Sequence, residues 1–344
     1  MTRGIGRRAF VRMAAACGGG TMATIVRPAA RQTAGGPRFA SIDVHAHWQP
    51  ERYVKALAEI GTPVDANPLN VDLDRRRAWM NDHGVQTLVL TILAPPWQTT
   101  SAEVAARLTA IVNDAAVEAH TAFPDRFVAG VAMPVHDATL ALKELNRVAG
   151  KGAFRAVHLP TSLNGADYVF DPAFEPVIAR CEELGYPLLF HPITAVPGAD
   201  RMRGKVNLSN PLGYPFEHAL VAEKFITTGL LDKYPRLEIV LGHAGGAFPY
   251  IAGRLEHNLA RVNQKTPRPF REYVRRFHYD TLAYYPEALR FLIDLVGSDR
   301  VVIGTDNFAL MDVDDPHALL NGLNLAAADR ERIMRTNASR LFKA

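Results

Sequence analysis

The sequence predicts a closed α/β barrel in which eight parallel strands are each followed by a helix. Three observations support this. The chain has 344 residues, enough for such a barrel, which takes about 250 residues plus insertions. Short apolar runs alternate eight times with longer helical patterns. The strands are apolar throughout rather than alternating, as in a parallel sheet buried on both faces.

The predicted strands are short and β-rich, and they lie at 40–46, 86–92, 127–132, 154–159, 187–191, 237–242, 278–282 and 301–305. The predicted helices lie between them at 72–83, 101–122, 137–150, 172–185, 215–230, 247–263, 286–296 and 315–324, with a last one near 327–342. A doubly wound open sheet would show the same alternation. The count of eight strands favours the closed (β/α)8 barrel.

The composition is that of an ordinary globular protein, with 48% hydrophobic and 22% charged residues. No apolar run reaches the ~18 residues that a membrane span needs. Residues 1–38 hold seven arginines and no acidic residue, so residues 39–344 carry a net charge of −3. The basic pI of 9.1 therefore belongs to the leader and gives no support to nucleic-acid binding. Cys181 is alone in the body, which excludes an intrachain disulfide.

The leader contains "GRRAFVRMAAACGGGTMATIV" at residues 6–26, which resembles a twin-arginine export signal. We therefore predict two segments, an export signal and linker at 1–38 and a barrel at 39–344. The resemblance implies contact with export machinery and a periplasmic or exported location, with the cytoplasm as the alternative. A disordered basic tail and a lipid-attachment role for Cys17 are the other interpretations.

Two histidines end the first strand in "FASIDVHAHWQP", residues 39–50. Side chains two apart on a strand point to the same face, so His45 and His47 can bind one metal ion together. Three more polar residues end later strands: His191 in "PLLFHP", His243 in "IVLGHAGG" and Asp306 in "VVIGTDNF". In a barrel all five belong at the carboxyl-terminal rim, where these enzymes keep their chemistry.

Imidazole and carboxylate groups bind Zn²⁺ and similar divalent ions, and a catalytic site keeps one position open. Such an ion lowers the pKa of bound water or polarises a substrate oxygen. An uncoordinated imidazole nearby can move a proton. A single histidine at a strand end is more often a hydrogen-bonded structural residue, but five such groups in this order indicate a metal-dependent enzyme.

This order resembles the amidohydrolase superfamily, whose barrels are of the metal-dependent hydrolase type. Residues 210–257 and 277–308 resemble the amidohydrolase-related decarboxylases, typified by aminocarboxymuconate semialdehyde decarboxylase. The resemblance implies that one divalent metal ion, zinc first and manganese as the alternative, is held by four residues: His45, His47, His191 and Asp306. It implies that His243 acts on water or substrate, and it implies a homodimer. Strand 4 reads "FRAVHL", without the lysine that bridges two metals in hydrolytic relatives.

The sequence departs from the family around the substrate. The stretch 48–71 contains only Arg52 as a candidate for the family's carboxylate-binding arginine, and Ile193 replaces an aromatic residue. We therefore expect a different substrate. Arg254 in "AGRLEH" matches a family arginine that reaches the neighbouring subunit's site.

Further substrate contacts are predicted at His158 and Trp48, with Trp97 as another candidate. The role of Asp280 stays open, and the run "DRRRAWM" at 74–80 is interpreted as a solvated helix face.

The leading hypothesis is non-oxidative decarboxylation of an unsaturated or aromatic carboxylic acid, with His243 as proton shuttle. The alternative is hydrolysis of an amide, ester or lactone by the same metal ion and rim residues, with His243 or Asp306 moving the proton. A third possibility is a non-catalytic metal-binding barrel, which missing ligands would have supported. All the ligands are present in the sequence.

Overall fold

A computed structural model describes residues 41–64, 66–92, 97, 101–193 and 196–344 of the chain. The predicted leader at 1–38 lies outside these residues, and the division at residue 38 stays a prediction. Eight strands form one sheet: β1 (Ser41–Trp48), β2 (Val85–Ile92), β3 (Phe127–Ala132), β4 (Phe154–Pro160), β5 (Leu188–His191), β6 (Ile239–Leu241), β7 (Phe277–Asp280) and β8 (Val301–Val302).

The strands follow one another around the sheet in sequence order, and every neighbouring pair is parallel. Backbone hydrogen bonds connect β1 to the segment after β8: Val44 N donates to Ile303 O at 2.9 Å, and His47 N donates to Asn307 O at 2.8 Å. The predicted (β/α)8 barrel is therefore confirmed.

Helices surround the sheet: α1 (Glu51–Glu59), α2 (Pro68–Val71), α3 (Leu73–Asp82), α4 (Ala102–Ala122), α5 (Ala138–Val148), α6 (Glu175–Leu184), α7 (Tyr214–Thr227), α8 (Leu230–Lys233), α9 (Phe248–Arg261), α10 (Phe270–Val274), α11 (Pro286–Val296), α12 (Ala318–Asn321), α13 (Ala327–Glu331) and α14 (Asn337–Phe342). Local signals fix several ends. The side chain of Ser101 caps α4 and that of Asp137 caps α5. Gly185, with φ of 64°, ends α6. No helix among the described residues is both long and apolar enough to cross a membrane.

Two apolar layers hold the barrel together. The larger lies between the sheet and the helices. The smaller fills the barrel interior with small or branched side chains, two from β1 and one from each other strand except β7: Ile42, Val44, Val89, Val128, Ala156, Leu189, Val240 and Val302. Leu341 and Phe342 of α14 belong to this interior cluster, and Asn337 of the same helix donates to the Val301 carbonyl at the start of β8. The last helix thus closes the amino-terminal end of the barrel.

The helix predictions differ from the structure in several places. No helix was predicted over 51–59, 68–71 or 270–274, where α1, α2 and α10 form. The helix predicted at 315–324 is reduced to Ala318–Asn321. The helix predicted near 327–342 is divided by a π-helical turn at Arg332–Thr336.

Candidate active site and metal centre

Polar side chains from four strands meet at the carboxyl-terminal rim of the barrel. His45, His191, His243 and Asp306 each offer one ligand atom, and these atoms lie within 4.8 Å of one another. His47 contacts the same carboxylate, with Nε2 2.8 Å from Oδ1 of Asp306. The structure therefore brings together all five residues that the sequence analysis assigned to this rim.

A bulge in β1 aims its two histidines at this cluster. Between Asp43 and Ala46, β1 carries one residue more than β2 beside it. Val44 faces the apolar barrel interior, yet its direct neighbour His45 and then His47 both reach the rim cluster. Regular alternation would not place Val44 and His45 on the same side. The extra residue thus re-aims the strand just before the site, as bulges near active sites often do.

Asp280, at the end of β7, connects two of these histidines. Its Oδ2 accepts hydrogen bonds from Nδ1 of His45 at 2.7 Å and from the backbone N of His243 at 2.9 Å. Its Oδ1 accepts from the backbone N of Ala244 at 2.7 Å and of Leu282 at 3.1 Å. Because Nδ1 of His45 donates to a carboxylate, its other nitrogen, Nε2, presents a lone pair to the cluster. Asp280 therefore orients a candidate ligand and also the turn that carries His243.

The donor set fits a divalent cation. Nε2 of His45 is buried, lies 3.4 Å from Oδ1 of Asp306 and has no hydrogen-bond partner among the described residues. Burial acts to lower the pKa of His45, but the neighbouring carboxylates of Asp280 and Asp306 outweigh it and raise the pKa to about 10. Burial acts to raise the pKa of Asp306, but both β1 histidines hold it well below its usual range. The site therefore favours positive charge beside Asp306, which a cation bound by imidazole and carboxylate would supply.

The two histidines opposite β1 stay neutral. Burial lowers the pKa of His191 well below its ordinary value. Burial, and then the charge of His45, lowers the pKa of His243 to about 4. Neutral imidazole is the form that binds a metal ion and the form that can take up a proton. Either role is thus open to both rings.

His158 lies next to the rim cluster, on the side of the barrel interior. It lies on β4, its side chain is buried, and neither ring nitrogen has a hydrogen-bond partner in the part of the chain that the structure describes. Its ring centroid is 6.2 Å from that of His191. A cavity of about 20 Å³ lies beside it, lined also by His45 and Thr91. This volume has room for about one water molecule.

Three other predicted contacts lie away from the cluster. Trp48 packs in the apolar layer between the sheet and the helices. Trp97 belongs to the same layer, where its Nε1 donates to the Met133 carbonyl at 2.6 Å. Arg254 is exposed on α9 and pairs with no other described residue. The structure does not bring these three to the five-residue cluster.

A cleft of about 340 Å³ opens next to His243. Its wall is mainly apolar and aromatic and includes Leu282, Tyr284, Phe291 and Met311. Among the described residues that line it there is no lysine, arginine, aspartate or glutamate. The cleft therefore suits a flat apolar ring, with its charged group at the end where His243 lies.

Sequence reasoning missed His218, which lies directly behind His243. Its Nε2 is 3.0 Å from Nδ1 of His243, and its side chain is fully buried on α7. The only signal was one histidine on the apolar face of a helix, and this pattern is shared by many structural histidines.

The interpretation of "DRRRAWM" as a solvated face is wrong at Arg76. This side chain is fully buried. It donates to the His47 carbonyl at 2.5 Å, to Oδ1 of Asn70 at 2.9 Å and to the Leu69 carbonyl at 3.0 Å. Its guanidinium lies 5.0 Å from the Phe308 ring centroid. Arg76 therefore joins the end of β1 to the segments that follow β1 and β8, directly behind the site.

Comparison with known proteins gives the family. Residues 42–344 match the amidohydrolase family. The chain is 32% identical over 290 residues to gamma-resorcylate decarboxylase of Rhizobium sp. (strain MTP-10005), covering 78% of this chain and 86% of that protein. It is 32% identical over 202 residues to 2-amino-3-carboxymuconate-6-semialdehyde decarboxylase of Dictyostelium discoideum, covering 57% and 55%.

A solved structure agrees with this. Dihydroxybenzoic acid decarboxylase of Polaromonas sp. JS666, with bound manganese and the inhibitor 2-nitroresorcinol, superposes with a TM-score of 0.76 at 26% identity. The match covers 88% of this chain and 97% of that one. The chain therefore belongs to the amidohydrolase family. The similarity to these decarboxylases confirms the prediction of a carboxy-lyase on the amidohydrolase fold.

Proposed function

We propose that this protein is a metal-dependent, non-oxidative decarboxylase of a small aromatic carboxylic acid. The observation that carries the proposal is the rim cluster, in which His243 lies beside a donor set fit for a divalent cation and faces an uncharged cleft. The similar proteins named above support the reaction class, since two are decarboxylases of hydroxylated benzoates by name. The cleft supports an aromatic substrate.

Four residues would hold the metal ion: His45, His47, His191 and Asp306. When bound there, a divalent ion would hold the substrate carboxylate and polarise an adjacent oxygen. Three imidazoles favour zinc, while the manganese in the Polaromonas enzyme makes that ion the alternative. The remaining imidazole, His243, would stay free for proton transfer.

The chain's own residues supply position and a proton. The apolar cleft holds the ring with its carboxylate toward the rim cluster and excludes water from the reacting carbon. The His243 ring takes up a proton from solvent water, and the resulting imidazolium passes a proton to the carbon that bears the carboxylate, which returns His243 to its neutral form. The bond between that carbon and the carboxylate then breaks, its electron pair returns to the ring, and CO₂ leaves. Because burial lowers the pKa of His243 to about 4, the ring is neutral before and after the transfer, and its protonated form releases a proton readily.

Substrate selection falls to residues around this centre. His158 offers two buried ring nitrogens without a hydrogen-bond partner in the described chain. We therefore propose that His158 binds a polar substituent of the substrate. Trp48 stays a prediction that its packing does not support. Asp306 keeps both predicted roles, as ligand and as a group that moves protons.

A homodimer is part of the proposal. Apolar side chains are exposed one turn apart on α7, at Phe216 and Leu220, and Tyr250 on α9 is 84% exposed. Arg254 lies one turn beyond Tyr250 on α9. If a second copy covered these faces, Arg254 of the first copy would reach the cleft of the second copy. There it would bind the substrate carboxylate bidentately. Export through the leader also stays a proposal.

The test measures metal content and CO₂ release together. The full chain, loaded with zinc or manganese, is incubated with hydroxybenzoates, unsaturated dicarboxylates, lactones and aryl esters. We expect metal-dependent CO₂ release from a hydroxybenzoate, lost in His243→Asn with the metal content unchanged. Acid release from lactones or esters without CO₂ would instead establish a hydrolase and refute the proposal.

A further inference from the structure

Two histidines form a pair at the edge of the site, His218 buried and His243 half-buried. Nε2 of His218 and Nδ1 of His243 are 3.0 Å apart, which is hydrogen-bond distance. His218 comes from α7, whereas His243 follows β6, so the contact depends on how the helix docks on the barrel. Gly242, just before His243, leaves room for His45, because a Cβ there would lie 3.1 Å from Cε1 of His45.

The surroundings decide which ring donates. Nδ1 of His218 is buried and has no hydrogen-bond partner in the described residues. A buried N–H without an acceptor is rarer in proteins than an acceptor without a donor. The favoured tautomer of His218 therefore carries its proton on Nε2 and donates it to His243. Nδ1 of His243 is then the acceptor, and the proton of its neutral ring lies on Nε2.

We propose that His218 is a positioning residue for His243: it occupies Nδ1 and leaves Nε2 as the nitrogen that exchanges a proton with the substrate. The inference rests on the proposed function in its assignment of proton transfer to His243. A histidine that must act through one nitrogen needs its other nitrogen engaged, because otherwise both tautomers and more than one ring orientation are populated. Asp280 already fixes the backbone N of His243. His218 fixes the ring.

The backbone gives a second reason for the ring to need support. His243 has φ of 52° and Ala244 has φ of 55°, both in the left-handed region that is uncommon for residues other than glycine. This irregular turn carries the imidazole beside the rings of His45 and His191, whose centroids lie 5.1 and 5.2 Å away. The hydrogen-bond contact with His218 of α7 fixes the orientation of the ring, which such a turn does not fix by itself.

Two variants test the role by turnover. His218→Phe keeps a ring but removes the donor, and His218→Gln keeps an N–H donor at a similar reach. We expect His218→Phe to lower kcat about 10- to 100-fold, which is part of the roughly 10²- to 10⁴-fold that positioned proton transfer contributes, because His243 itself is kept. We expect KM and metal content to stay unchanged and His218→Gln to restore most of kcat. The control is His120→Phe on α4, a histidine whose ring nitrogen Nδ1 lies 2.8 Å from the Phe127 carbonyl and which has no part in the rim cluster.

An NMR measurement of the His243 tautomer tests the same role without a substrate. The full chain labelled with ¹⁵N-histidine gives distinct shifts for the two ring nitrogens, and His243→Asn identifies the His243 signals. We expect the wild type to show His243 protonated on Nε2 and His218→Phe to show a mixture. No CO₂ release by the wild type would refute the proposed function alone. A wild-type kcat in His218→Phe, equal loss in His218→Gln, or an unchanged tautomer would refute the role of His218.

Discussion

Replacing Asp280 by asparagine tests how the site is held. The carboxylate accepts four hydrogen bonds, from Nδ1 of His45 and from the backbone N of His243, Ala244 and Leu282. An amide has one oxygen and can accept only two of them. Hydrogen bonds to charged groups are worth ~1.5–3 kcal/mol each, so two lost bonds amount to roughly 3–6 kcal/mol before the structure relaxes.

The substitution also changes the tautomer of His45. The amide orientation that keeps the oxygen on Ala244 and Leu282 turns its NH₂ group toward Nδ1 of His45. His45 then has to accept at Nδ1 and carry its proton on Nε2, which removes the lone pair that faces the cluster. Loss of such an outer partner typically lowers metal affinity about 10- to 100-fold.

The assay is a competitive titration of zinc or manganese against a chelator, with urea unfolding of the metal-free protein beside it. The control is Glu238→Gln, which neutralises a carboxylate at the start of β6, at the opposite end of the barrel. We expect Asp280→Asn to lose both metal affinity and stability and the control to keep its metal affinity. An Asp280→Asn protein with wild-type metal affinity would refute the reasoning about His45.

Three further predictions follow from contacts elsewhere. Arg76→Met leaves three acceptors without their buried donor and is expected to cost about 3–5 kcal/mol in urea unfolding; a loss below 1 kcal/mol would contradict this. Burial acts to raise the pKa of Glu238, but hydrogen bonds from His278 and Arg340 outweigh it and lower the pKa to about 2. The stability that the Glu238 carboxylate adds is therefore present above its unfolded pKa of about 4.3 and is lost as the pH falls toward 2. The free energy of unfolding of Glu238→Gln, measured in urea at several pH values, should therefore decrease less steeply between these pH values than that of the wild type. Equal slopes would contradict this. Phe248→Ala empties a fully buried site and should lower the free energy of unfolding by about 3–5 kcal/mol, measured in urea; a loss under 1 kcal/mol would show that the site collapses.

The sequence predicted the barrel because its signals are local and repeated. Each strand is a short apolar run, and each of the five rim residues lies at the end of such a run. Because all the strands of the barrel are parallel, these ends lie at the same rim, and this was enough to predict that the five residues come together. The shorter strands show the limit. The strand predicted at 237–242 is observed at Ile239–Leu241, and that at 301–305 at Val301–Val302. The chain turns there to present His243 and Asp306, both with positive φ, and apolar pattern does not record such a turn.

What the sequence did not predict depends on side-chain direction. Arg76 and Met80 lie one turn apart on α3 and are both fully buried, but the letters of a charge run do not distinguish a buried arginine from solvated ones beside it. His218 becomes meaningful only after α7 is docked against β6. The bulge in β1 is invisible in "DVHAH", because the pairing with β2 that reveals it is not local.

The seam between β1 and β8 gives the chain a late checkpoint in folding. His47 and Asp306 lie on either side of this seam, more than 250 positions apart in sequence. A metal ion bound to both residues would join β1 to the segment that follows β8. High metal affinity can therefore arise only after the final strand has been added to the barrel. A nascent chain that lacks its last forty residues would hold the three proposed histidine ligands but not Asp306, the proposed carboxylate ligand. Metal capture would therefore report completion of the whole barrel rather than of any part of it.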